Sequence, residues 1–342
     1  MDDLTRFPKA DPVEIFRNRD GLYAPELLAA ATIGLDFFSW LAQTPADAGT
    51  ICASLGLAAR PVDVMLTLFT AMGLVQEKGG VFHLTDASRE FLVPGSPWFV
   101  APYFSSFRAR PVYKDLLEVL RTGKPAGWIS GTAEKPWAQA MESDAFAEQF
   151  TAAMDSRGVI LGPALARQLD LQAHHRLLDI AGGSGIYACC LVSAHRHLAA
   201  TVVEKPPVDR VARKGIEKRG YSGQVDVIVG DIFSEDLPAG YDVHLWSNAL
   251  HDWDAPAVQT LLVKSSATLP SGGMIVIHDE HINREKTGPL AVAAYSAFLM
   301  TITEGKCYAV SELESFLKAA GFAGVEYRTT TGDHSVITAR KP

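Results

Sequence analysis

Four cysteines in 342 residues, at positions 52, 189, 190 and 307, are too few and too irregularly spaced for a disulfide framework or a thiolate metal site. No apolar run reaches the roughly 18 residues that a membrane-crossing helix needs. The acidic opening Met1-Asp2-Asp3 lacks the basic and apolar regions of a secretory signal, so a cytoplasmic location is expected. Basic charge is in deficit: 31 Lys and Arg against 39 Asp and Glu leave a formal net charge of -8, which disfavours nucleic-acid partners. Repeats and low-complexity tracts are missing as well. Hydrophobic side chains are plentiful at 48%, enough over this length for about two domains with sizeable cores.

The most informative stretch is Leu177-Leu-Asp-Ile-Ala-Gly-Gly-Ser-Gly185, an apolar strand that ends in Asp179 and enters a turn almost without side chains. Such a turn lets a ligand approach the backbone closely. Glu204 closes a second apolar run 25 positions after Asp179, where an acid can accept both ribose hydroxyls of a nucleoside ligand. Gly183, Gly185 and Ala188 also fit the G-x-G-x-x-A form of the dinucleotide fingerprint, so a nicotinamide oxidoreductase is the competing reading. Asp179 would repel a diphosphate and suits an ammonium, which favours S-adenosylmethionine (SAM). Gly230, Asp231, Ile232 and Phe233 follow a third strand and would bond and cover an adenine. Ser247 begins Ser-Asn-Ala-Leu-His-Asp-Trp-Asp254 at the end of a fourth.

These four segments resemble the small-molecule methyltransferases related to caffeic acid and acetylserotonin O-methyltransferases, over nearly the whole chain. The family's D-x-G-G-G-x-G has Ala181 in place of its first glycine here, while its G-D-x-F (Gly230, Asp231, Phe233) and L-H-D-W (Leu250 to Trp253) are intact. The resemblance implies an α/β fold: a Rossmann-like class I methyltransferase domain with a mostly parallel seven-stranded sheet over 166–342. A helical winged-helix dimerisation domain would precede it over 1–110, and a helical linker over 111–165 would contribute to the substrate pocket. The strand–helix alternation itself indicates a parallel sheet, with strands near Arg176 to Ile180, Thr201 to Glu204, Val225 to Val229, Asp242 to Ser247 and Met274 to Asp279. A strand from Val325 to Arg328 and another ending at Thr338 complete it, and the ligand would sit at the strands' carboxyl ends.

The first half reads as helices over Leu27 to Leu41, Ala46 to Leu55 and Pro61 to Leu74, then a hairpin turning at Gly79-Gly80. Pro94 to Pro97 and Thr122 to Gly127 are Pro/Gly-rich breaks. Helices followed by a hairpin would suit a DNA-binding regulator, but the third helix, taken from Arg60 to Gly73, carries a single basic residue at its start, too few for tracking phosphates. The resemblance instead implies a homodimer joined through this region.

Methyl transfer from a sulfonium is an in-line displacement, accelerated largely by alignment, and a hydroxyl acceptor must also lose a proton. The resemblance makes His251 the base and Asp279 one of two acids that orient it; the second falls on Cys307, a departure that removes a carboxylate. A thioether acceptor has no proton to lose. Arg6 to Pro12, Arg19 to Tyr23, Asp36-Phe37-Phe38 and Glu204 to Val208 are similar to the methylthiohydroxybutyrate S-methyltransferases of dimethylsulfoniopropionate synthesis, so S-methylation of that hydroxy acid is the favoured specific expectation, with O-methylation the alternative. Arg19, Arg108 and Arg110 are candidates to clamp its carboxylate. Trp253, Tyr295 and Phe298 would surround a new sulfonium, and Met154, in Phe150 to Met154, would line the acceptor pocket. His278-Asp-Glu-His281 beside His251 and Asp252 raises a two-histidine, one-carboxylate metal site, but neighbours on a strand alternate sides and no metal is expected.

Overall fold

A computed structural model of the chain describes residues 3–126 and 137–342. The opening Met1-Asp2, and residues 127–136 within the expected linker, lie outside the described residues. The chain forms two compact units. One comprises the stretch up to Val13, Trp137–His281 and Val310–Pro342; the other runs from Glu14 through the helical first third and takes in Ile282–Ala309.

In the helical unit, Asp47 caps helix Ala48–Leu55 by accepting from the Thr50 amide, and helix Ala59–Ala71 follows. Strands β1 (Val75–Lys78) and β2 (Val81–Leu84) pair as a hairpin whose turn residues Gly79 and Gly80 both take positive φ, 61° and 85°. The single helix expected over 27 to 41 is instead broken into Ala24–Ala29, a π-helical turn Ala30–Gly34 and Phe37–Gln43. Asp36 at φ 53° redirects the chain, and Gly34 lies so close to Leu117 that a Cβ would come within 2.8 Å of it. Phe37, Phe38 and Phe69 pack with ring centroids 5.2 to 5.9 Å apart at the centre of this unit's core. Helix Leu290–Ile302 packs on helix Ala59–Ala71, and Arg60 donates to the carbonyls of Gly123, Met300 and Gly305.

The other unit holds β3 (Arg176–Ile180), β4 (Ala199–Glu204), β5 (Val225–Val229), β6 (Val243–Ser247), β7 (Met274–Asp279), β8 (Ala323–Thr329) and β9 (Ser335–Arg340). Their spatial order is β5-β4-β3-β6-β7-β9-β8, parallel except for β9, which runs antiparallel to both its neighbours. The strand positions expected from sequence agree to within two residues. Leu177, Leu178, Asp179 and Ile180 are all buried without alternation, as befits a central parallel strand covered on both faces. The strand order reverses between β3 and β6, and at such a switch point the loops after neighbouring strands part to leave a crevice. Glu204 lies opposite Val229 and Ser247 opposite His278, so the strand ends rise to a common edge.

Candidate active site

The turn after β3 is shaped by what its residues lack. A Cβ on Gly182 would lie 2.5 Å from the Asp179 carboxyl carbon, and one on Gly185 would lie 2.9 Å from Ile216. Ala181, Gly183 and Gly185 all adopt positive φ (54°, 60° and 73°), so the alanine holds a left-handed conformation that costs a β-carbon residue about 1 kcal/mol or more. The Gly183 amide donates to Glu204 Oε1 at 2.9 Å, joining the turn to the end of β4. One Asp179 oxygen accepts from the Ala188 amide at 3.3 Å; the other, Oδ1, is buried with no partner. Burial pushes both carboxyls up to about 7, outweighing the amide bonds from Ala188 to Asp179 and from Gly183 and Lys205 to Glu204. Two such acids at a bare turn fit a cationic amino-acid tail and a ribose.

Beyond β5, Asp231 Oδ1 accepts from the Phe233 amide at 2.8 Å. Lys264, which no motif singles out, donates to the carbonyls of Ile232, Phe233 and Glu235 at 2.6 to 2.9 Å and pins this loop. Phe233 and Trp253 meet edge to face at 4.5 Å, placing an aromatic wall beside Ile232. Ser247 has a buried hydroxyl without a partner, and its neighbour Asn248 donates to Tyr187 Oη at 2.9 Å and lies 2.8 Å from His334 Nε2.

His251 occupies a one-turn helix, Leu250–Asp252, after β6. Its Nδ1 is 2.6 Å from Asp279 Oδ1 at the end of β7, and Asp252 Oδ1 is 3.6 Å from its Nε2. Burial by itself lowers the basicity of the ring, but Asp279 and then Asp252 outweigh it and hold the imidazole well above its ordinary value. Burial likewise opposes the Asp279 carboxylate, yet His251 keeps it below the usual range, whereas burial lifts Asp252 to about 6. With Nδ1–H directed at Asp279, the neutral ring presents Nε2 as its basic atom. Glu280, next along, pairs with Arg157 at 3.0 Å.

Met154 is half-buried on helix Asp144–Gln168, in the same unit as His251. Trp253 lies in that unit too, whereas Arg19, Arg108, Arg110, Tyr295 and Phe298 belong to the helical unit. There Arg19 lies over the Phe298 ring at 4.9 Å, with Tyr23 and Tyr295 beside that ring at 5.3 and 6.1 Å. Arg108 and Arg110 do not join it: Arg108 donates to the Ile33 carbonyl, and Arg110 pairs with buried Glu26 at 2.6 Å. Cys307 is buried, its amide bonded to Ser296 Oγ at 3.1 Å. Among the described residues, no three His, Cys, Asp or Glu side chains form a group able to hold a metal, and no helix is long and apolar enough to cross a membrane.

A seven-stranded sheet of this order, with a glycine turn and strand-end acids at its switch point, defines a SAM-dependent methyltransferase, and the buried, unpartnered Asp179 oxygen fits the donor's ammonium. The chain belongs to the O-methyltransferase family, whose domain model matches residues 113–323. A 3-hydroxy-5-methyl-1-naphthoate 3-O-methyltransferase of Streptomyces sahachiroi is 31% identical over 89% of this chain and 88% of its own. The crystal structure of an O-methyltransferase family 2 protein from Planctomyces limnophilus, in complex with apigenin, matches at a TM-score of 0.89 and 30% identity, covering 100% of this chain and 99% of that one. Human N-acetylserotonin methyltransferase in complex with SAM shares the fold, with a TM-score of 0.61, 24% identity and coverage of 98% and 99%. The enzyme therefore transfers a methyl group from SAM to a small molecule.

Proposed function

We propose that this enzyme O-methylates a hydroxyl carried by a small aromatic molecule, with His251 as general base. The observation that carries the reading is the buried 2.6 Å contact between His251 Nδ1 and Asp279. It orients the ring, directs Nε2 at the acceptor's proton, and stabilises the imidazolium formed as the hydroxyl oxygen attacks. Bound SAM supplies an activated methyl on a sulfonium. Asp179 takes its ammonium, the backbone at Gly183 and Gly185 its tail, Glu204 its ribose, and Asp231, Ile232 and Phe233 its adenine, with Ser247 at the floor. Met154 and Trp253 border the acceptor. The region 1–110 acts as a winged-helix dimerisation module and 111–165 as a linker toward the substrate.

The hydroxynaphthoate and apigenin named for the two relatives at 30% identity or more support a hydroxyl acceptor better than the thioether suggested by the opening residues. That S-methylation expectation gives way for a physical reason as well: a base and its orienting acid are of no use to a nucleophile without a proton. The test is methyl transfer from labelled SAM to 3-hydroxy-5-methyl-1-naphthoate, apigenin and 4-methylthio-2-hydroxybutyrate. Turnover of a hydroxyl compound is expected, and turnover of the thioether alone would sink the proposal.

A further inference from the structure

Between Gly182 and Gly185 a single residue, Ser184, carries a side chain, and that side chain does not face an open crevice: Ser184 is buried and its hydroxyl donates to Asp155 Oδ1 at 2.5 Å. The other oxygen of Asp155 accepts from Arg219 Nη2, also at 2.5 Å, and Arg219 bonds back to the Gly215 carbonyl of its own helix, Val208–Arg219. A Cβ on Gly215 would lie 3.2 Å from the Ser184 carbonyl, so turn and helix are in contact there too. Both Asp155 and Arg219 are largely shielded from water, with side-chain exposures of 23% and 14%, where charge-assisted bonds are strongest.

The turn needs such an anchor. Its glycines have wide conformational freedom, and a ligand that must order them loses affinity in doing so. A bond at the one available side chain removes that freedom in advance. Asp155 also follows Met154 directly on helix Asp144–Gln168 and precedes Arg157 by two residues. At 100° per residue, Met154 falls on the arc between them, with Asp155 bonded to the cofactor turn and Arg157 to Glu280 beside the acid that orients His251.

We propose that Asp155 is a positioning residue for SAM, acting through Ser184 to hold the Gly182–Gly185 turn in its binding conformation. The inference rests on the reading of that turn as the cofactor site. Calorimetric titration with S-adenosylhomocysteine tests the two separately, and needs no acceptor. If the parent protein fails to bind, the cofactor reading falls. If it binds, Ser184→Ala and Asp155→Ala should each weaken binding on the order of tenfold, and the double variant should be no weaker than the singles, because both remove one shared bond. Asp155→Asn keeps an oxygen for Ser184 and should recover most of the affinity, which a loss from general loosening would not. Should Asp155→Ala fail to fold, Ser184→Ala decides alone, since Asp155 keeps its arginine. Parental affinity in folded Ser184→Ala, or losses that multiply in the double variant, would overturn the proposal.

Discussion

His251 Nδ1 stands 2.6 Å from Asp279 Oδ1, with 7% and 5% of the two side chains exposed, so the pair is shielded from competing water. Burial opposes charge on the ring, and Asp279 is the chief group that overcomes it, holding the imidazole up to about 9. The base must be neutral to act, so activity should climb as pH rises through that value. In Asp279→Asn the value falls back, the acid limb of the kcat/KM profile moves to lower pH, and the plateau drops by about 10² to 10⁴ because the imidazolium loses its counter-charge. A pH–rate profile of the two proteins checks both shifts.

His251→Ala removes the proposed base but leaves the glycine turn, Asp179 and Glu204 untouched. Methyl transfer to a hydroxyl acceptor should fall by about 10² to 10⁴, while S-adenosylhomocysteine affinity stays within about threefold of the parent. Equal rates in the two proteins would remove His251 from the chemistry. Equal losses in rate and in affinity would instead assign it to binding.

The sheet could be read almost residue by residue, because Leu177-Leu178 and Met274 to Ile277 are apolar runs that lead into acids, and parallel strands buried on both faces have that form. The positions of Asp179 and Glu204 were legible for the same reason: each lies at the end of an apolar strand. The helical unit was less so. Its break at residues 30 to 36 depends on Gly34 meeting Leu117 and on Asp36 accepting a left-handed backbone, and periodicity reports neither. Asp155, Arg157 and Lys264 stayed hidden because nothing in a helical charge pattern distinguishes a buried clasp from a solvated face; only the partners, Ser184, Glu280 and three loop carbonyls, make the difference.

Asp179 and Glu204 predict a pH-dependent cofactor affinity. Burial holds both carboxyls up to about 7, and the ionised forms are the ones that attract an ammonium or accept ribose hydroxyls. Binding should therefore tighten as pH rises from about 6 to 8 and release protons below neutrality. Calorimetry in buffers of different ionisation enthalpy reads the released protons directly. Asp179→Asn should weaken binding by about tenfold or more and remove part of the pH dependence; a flat affinity in the parent across that range would count against both acids.

Ala181 is where this chain departs from the glycine expected of its family, yet its φ of 54° is one that glycine adopts at no steric cost. Relief of about 1 to 2 kcal/mol of left-handed strain competes with the extra freedom glycine brings to the unfolded chain, about 0.4 to 1 kcal/mol. Ala181→Gly should thus stabilise the protein by up to about 1.6 kcal/mol and raise Tm by up to about 2 °C. The same freedom would let the empty turn leave its binding conformation, so S-adenosylhomocysteine affinity should fall, by no more than about threefold. Stability and affinity moving in opposite directions is the signature. If both fall together, the alanine is favoured by packing rather than strained, and the turn owes its shape to contacts other than its backbone angles.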